Sequence, residues 1–168
     1  MLFGMAVLGS SCEEPEPPEP IMLVDHELWR EVSADDDPFE DRPEEVDCNP
    51  LGWGYEYIGE HSLEVELANC NYLVVAQESL AAIEVGDELA IRLWHNALVG
   101  PEGESHMAIT VDGFPVWDLR IPIPSESELI MDISSASFRA EVGAEVLFHI
   151  HNHGANTYNL IEVSVTNL

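Results

Sequence analysis

From Cys48 onward, apolar and polar residues alternate with a period of two. Leu63, Val65 and Leu67 are interleaved with Ser62, Glu64 and Glu66; Leu89, Ile91 and Leu93 with Ala90, Arg92 and Trp94; Met107, Ile109 and Val111 with His106, Ala108 and Thr110. Asp112-Gly113 marks a hairpin turn, and Trp117, Leu119 and Ile121 follow it. Leu129, Met131 and Ile133 continue the theme, then Val146, Phe148 and Ile150, and finally Ile161, Val163 and Val165. Tyr72–Ala76 is a short continuous apolar run. The pattern predicts eight or nine short strands separated by Gly, Pro and Asn, with no helical stripe. The expected fold is all-β, an antiparallel β-sandwich of the jelly-roll kind over residues 48–168, with one face of most strands wet.

Two segments look alike. Glu84-Val-Gly-Asp-Glu-Leu89 and Glu141-Val-Gly-Ala-Glu-Val146 each lead through a glycine turn into a strand. In the second strand Phe148 and Ile150 belong to the core, so His149, His151 and His153 share the opposite, outer face. By the equivalence of the two turns, Arg92, Trp94 and Asn96 hold the outer face of the first strand. His106 and Arg120 also fall on outward positions.

Three chemistries fit these outward residues. Trp94 and Tyr158 for stacking, with Arg92, His149, His151, Asn152, Asn156 and Asn159 for hydrogen bonds, are the equipment of a glycan or other small polar ligand site. Alternatively, His149 and His151 chelate zinc or copper with a third ligand from His106, His153 or His95, of which His106 is the first choice. The third reading is structural: Asn and His side chains satisfy backbone groups where a strand meets a turn. Of the remaining tryptophans, Trp117 belongs to the core. Trp53, flanked by Gly52 and Gly54, packs at an edge or forms an exposed platform.

Residues 13–47 read differently. They hold fifteen acidic residues, two arginines and six prolines, the composition of a stretched tether. Ile21–Trp29 is too apolar for pure linker; it reads as a strand docked on the domain edge or as a partner-binding segment, and docking is the expectation, since apolar residues usually bury within their own chain. Across the chain there are 33 acidic residues and five arginines, for a net charge of −28. Such a surface excludes nucleic-acid binding, which needs clustered cations. No D-x-D-x-D-G loop reads as a calcium site.

The segment Met1–Cys12 is a short apolar run, then Gly9-Ser-Ser, then a cysteine. It is too short to span a bilayer as a folded helix and reads as an export signal cut at small residues. It resembles the bacterial lipoprotein signal, with Gly9 where that family usually has Leu. The resemblance implies a lipid on Cys12 as the sole membrane attachment and, because Glu13 rather than Asp follows, an outer-membrane or cell-surface destination. With Cys12 so used, Cys48 and Cys70 remain as a pair, and an exported chain favours their disulfide over two separate buried thiols.

The strand pattern, the E-V-G-x-E turn and the two cysteines make residues 48–168 similar to jelly-roll modules appended to secreted bacterial proteins, many of which bind carbohydrate. The W-H-N and H-N-H-G-A-N-x-x-N-L-I-E segments also resemble uncharacterised acidic lipoproteins of gliding, predatory bacteria. No nucleophile elbow, phosphate loop or dinucleotide fingerprint occurs. The expectation is therefore a secreted, lipid-anchored, non-catalytic glycan-binding protein that needs no cofactor. The alternatives are a zinc- or copper-binding histidine face and a structural envelope protein.

Overall fold

A computed structural model describes residues 18–57, 59–152 and 154–167. The described residues form eleven strands and no helix. They are β1 (Ile21–Met22), β2 (Arg30–Glu31), β3 (Trp53–Tyr57), β4 (His61–Glu66), β5 (Tyr72–Glu78), β6 (Glu88–His95), β7 (Leu98–Val111), β8 (Phe114–Ser125), β9 (Glu128–Ser135), β10 (Glu145–His151) and β11 (Thr157–Thr166). The first sheet runs β3-β4-β11-β6-β9, with β1 also paired to β11; the second runs β2-β5-β10-β7-β8. All pairings are antiparallel. The two sheets form a jelly-roll sandwich. Each expected strand is present, and the hairpin at Asp112-Gly113 joins β7 to β8 with both residues at positive φ.

The core follows from the alternation. Leu63, Val65, Leu89, Ile91, Leu93, Leu160 and Val163 of the first sheet meet Leu73, Val75, Met107, Ile109, Val146, Phe148 and Ile150 of the second. Burying a side chain of this size contributes about 1.5–3 kcal/mol. The two E-V-G-x-E turns are indeed alike. Gly86 and Gly143 both adopt positive φ, and Asp87 N donates to Glu84 O as Ala144 N donates to Glu141 O. Each leads into an interior strand, but of different sheets: β6 in the first and β10 in the second. Cys48 and Cys70 are disulfide-bonded. Gly52 packs so close to this link that a Cβ there would lie 2.7 Å from Cys70 Cβ, which excludes any larger residue.

The stretch expected as a tether is, over residues 18–47, a folded layer. Leu23, Val24, Trp29 and Val32 are buried. The apolar 21–29 patch docks as expected, with β1 on β11 and Leu23 N donating to Val163 O. Beyond it, β2 pairs with β5, and residues 32–46 cross the outer face of the second sheet. There Val32, Phe39 and Val46 pack with Tyr72, Val74, Ala76 and Leu147 in a second apolar cluster. Acidic, proline-rich composition describes a chain that cannot form its own core. It does not prevent a few apolar residues from completing someone else's.

Candidate functional site

On β6, Leu89, Ile91, Leu93 and His95 enter the core, which leaves Arg92 and Trp94 outside. Strand register then assembles a row across the outer face of the first sheet: Gly54, Glu64, Asn159, Trp94 and Leu129 are successive cross-strand partners. A β-bulge between Leu160 and Glu162 places Ile161 as the extra residue of β11. The bulge carbonyl is met by His26 Nε2 at 3.1 Å, and Trp29 Nε1 donates to His26 Nδ1. Burial lowers the pKa of His26 despite the Ile161 hydrogen bond, so a neutral ring serves both contacts.

Beside Trp94 lies a groove of about 330 Å³ lined by Glu60, Ser62, Trp94, Leu129, Asn159 and Ile161. A second hollow of about 560 Å³ shares Glu60 and Ile161 with it and continues past Arg92 to His26 and Leu80. Asn159 is 4% exposed. Its Nδ2 donates to Glu56 Oε2 and Ser62 Oγ, both at 3.4 Å, while its buried Oδ1 has no hydrogen-bond partner among the described residues. Arg92 is held by Glu60 at 2.8 Å and Glu162 at 3.2 Å. Glu64 hydrogen-bonds Glu56; that bond first, then burial and the Glu56 charge, push its pKa up to about 7. Leu129, Met131 and Ile133 stand exposed along β9 beside this face.

His106, His149 and His151 lie on the opposite side of the molecule. His149 and His151 do share the outer face of β10, and His106 on β7 pairs directly with His151. That face is not wet: His149 is 0% exposed. Phe39 stacks on its ring at 4.4 Å, and the Tyr72 ring lies 4.9 Å away. Asp41, from the covering layer, reaches in among the three rings. Its Oδ2 lies 2.7 Å from His106 Nδ1, 3.2 Å from His149 Nε2 and 3.4 Å from His151 Nδ1. Burial alone would raise the pKa of Asp41, but the His106 and His149 contacts outweigh it and hold the carboxyl near about 2. Burial lowers the pKa of His149, opposed by Asp41.

The residues expected to form one ligand site thus separate. Arg92, Trp94 and Asn159 line the open face of the first sheet. His149, His151 and His106 gather under the cover of the second. Tyr158, Asn152, Asn156 and His95 serve the interior. Tyr158 points into the core with 0% exposure, where burial pushes its pKa up to about 12. Asn152 Nδ2 donates to Tyr158 Oη at 3.0 Å, and Asn156 Oδ1 accepts from Val99 N at 2.8 Å. His95 is buried, with Nδ1 2.7 Å from Asn96 O. His153 and Cys12 lie outside the described residues. Trp53 packs half-buried against the core edge, and Trp117 is buried.

The Tyr158 error has a definite cause. Ile161, Val163 and Val165 cannot all point inward, because the bulge at Ile161 reverses the alternation, so Tyr158 and Leu160 face the core and Asn159 faces out. Asp41, Glu60 and Ser62 were missed. The available signal for the covered face was the two continuous apolar runs, Tyr72–Ala76 and Val146–Phe148, which imply burial on both sides of β5 and β10.

No family model matches the sequence. No curated protein matches it significantly. Among solved structures, a carbohydrate-binding module studied for specific mannan recognition shares the fold, with a TM-score of 0.52 at 8% identity over 89% of this chain and 96% of that one. A module solved with β-1,4-galactotriose gives 0.47 at 8% identity, covering 88% and 99%. The N-terminal cellulose-binding domain of Cellulomonas fimi β-1,4-glucanase C gives 0.45 at 17% identity, covering 73% and 93%.

Proposed function

We propose that this protein binds a glycan, without catalysis, in the groove on the outer face of the first sheet. The observation that carries the reading is Trp94 set beside Asn159, whose buried Oδ1 lacks a partner within the groove. A sugar ring offers an apolar C–H face to the indole, and a small rotation of the Asn159 side chain would present its orphaned oxygen, which is costly to leave unpaired, to a sugar hydroxyl. Leu129 widens the apolar platform, and Ser62 and Glu60 offer further hydrogen bonds. A carbohydrate-binding module of the same fold recognises mannan, which supports glycan binding in general; the groove residues make the case for this chain.

The groove also sets a charge preference. Arg92, in the adjoining hollow, is already paired with Glu60 and Glu162, and Glu56 and Glu64 border Asn159. Uronates and sulfated sugars would be repelled, so the ligand is a neutral or amino glycan. The Glu56–Glu64 pair does not argue for hydrolysis. Glycosidase carboxyls stand about 5–9.5 Å apart to flank the bond they cleave, whereas these two hydrogen-bond each other. We place the protein at the bacterial cell surface, anchored in the outer membrane by lipid on Cys12. Mass spectrometry of the membrane fraction should find the lipidated cysteine as the N-terminus, and an unmodified residue upstream would refute the anchor.

The test of binding is a glycan array with the full mature chain, followed by titration of the best neutral polysaccharide. Trp94→Ala should weaken it by about thirtyfold, the loss of a contact worth about 2 kcal/mol, with the melting temperature little changed. Undiminished binding by Trp94→Ala, or a preference for polyuronates, would overturn the reading.

A further inference from the structure

We propose that His106, His149, His151 and Asp41 form a tetrahedral zinc site that fastens the 33–47 segment across the second sheet, on the side of the molecule opposite the glycan groove.

The register provides the first half of the site. His149 and His151 are two apart on β10 and face the same way, and His106 is the direct cross-strand partner of His151 on β7. Three imidazoles from two neighbouring strands therefore converge without any loop having to place them. The covering segment provides the other half. One oxygen of Asp41 lies within 3.4 Å of a ring nitrogen from each histidine, so the three nitrogens already point at a common centre. The ligand atoms of Asp41, His106 and His149 all fall within 4.8 Å of one another. Zinc–nitrogen bonds of about 2 Å in a tetrahedron set ligand atoms about 3.3 Å apart, so these three need close by no more than about 1.5 Å, within the reach of side-chain rotation. His151, whose Nδ1 is 3.4 Å from Asp41 Oδ2 but which lies outside that trio, must swing in to supply the fourth ligand.

The surroundings favour a metal over a simple ion-pair cluster. His106 turns Nδ1 to the centre while its other nitrogen, Nε2, is 3.0 Å from Asp118 Oδ2. A carboxylate on the far nitrogen fixes the tautomer and orientation of a metal-bound histidine. Phe39 and Tyr72 wall the rings from water. Tyr72 is itself tied to the covering segment, its hydroxyl donating to Asp37 Oδ2 at 2.6 Å. Three imidazoles and one carboxylate complete a zinc coordination shell. A closed set of four is the mark of a structural site rather than a catalytic one.

The site also has a mechanical place. The covering segment is bonded to the sheet at Val32 N, which donates to Val74 O, and again at Asp47, whose backbone pairs with Asn71 just before the Cys48 disulfide. Asp41 falls between these anchors. A metal there would close the middle of the segment onto the sheet, and the protein's strong negative charge would concentrate cations around it.

The experiment uses the full mature chain, purified without a histidine tag and stripped with chelator, then titrated with zinc and separately with cobalt. One zinc per chain is expected, with a rise in melting temperature, slower proteolysis within 33–47 and the visible bands of tetrahedral cobalt. Asp41→Ala and His106→Ala should each weaken zinc by a hundredfold or more. Asp118→Asn should weaken it by about tenfold and keep the cobalt spectrum. Should His149→Ala fail to fold, Asp41→Ala and His151→Ala, at partly exposed side chains, still decide. Absence of zinc uptake by the wild-type chain, octahedral cobalt, or wild-type zinc affinity in Asp41→Ala would each overturn the proposal.

Discussion

The two outer faces of the sandwich obey the same alternation and reach opposite ends. On the first sheet, outward residues stay accessible: Leu129, Met131 and Ile133 are exposed on β9, and Trp94 and Asn159 border a groove. On the second, outward Tyr72, Val74, Ala76, Leu147 and His149 are buried, because residues 32–46 lie over them. Facing away from the sandwich core is thus not the same as facing water. A sheet's outer face becomes a binding surface only where the rest of the chain leaves it open.

The largest test of this contrast is to remove the cover. A chain lacking residues 18–47 loses the burial of Leu23, Val24, Trp29 and Val32, of order 6 kcal/mol or more, which rivals the whole stability of a domain this size. It should aggregate or melt far below the full chain and bind hydrophobic dyes at Tyr72, Val74 and Leu147. A truncated domain that melts with the full chain would show that the cover is a mere tether. For the same reason, ligand binding belongs on the full mature chain rather than on the 48–168 fragment.

A matched pair of substitutions sharpens the contrast on single residues. Leu147 and Ile133 both point outward from their sheets, at 6% and 60% exposure. Leu147→Ala should cost about 2–3 kcal/mol in chemical denaturation, and Ile133→Ala less than about 0.5 kcal/mol. Equal costs would contradict the difference between the faces.

These contrasts mark where the sequence was legible. Period-two alternation identified the strands and most of their core residues, but not on β9, where the apolar set Leu129, Met131 and Ile133 pairs with the outward positions of β6 and stands exposed. The paired E-V-G-x-E turns correctly matched β6 to β10, but nothing in the pattern says that the matched strands sit in opposite sheets. Trp94 and His149 therefore read as one site and stand on opposite sides. His106 beside His149 and His151 was legible, since outward positions on adjacent strands meet by register. Asp41 was not: it is one carboxylate among fifteen in an acidic stretch, and only the tertiary path of that stretch selects it. The bulge at Ile161 was equally hidden, because one extra residue reverses a strand's faces without altering its composition.

The smallest effect concerns the open face and its proton. Glu64 titrates near about 7 in the folded protein against an ordinary 4.5, because Glu56 bonds and repels it. The folded state therefore holds a proton that the unfolded chain has released. That contribution is fully present below about pH 4.5 and is lost as the pH rises to about 7. Glu64→Gln keeps a neutral donor beside Glu56 at every pH, so it should melt like the wild type at pH 4.5 and slightly above it at pH 8. Because Glu64 is partly exposed, solvent screening keeps this difference below that of Leu147→Ala. The general repulsion of so acidic a chain changes in both proteins alike and cancels in the comparison. A difference that grows toward low pH instead would mean that Glu64 is held as a carboxylate, and that Asn159 rather than Glu56 governs it.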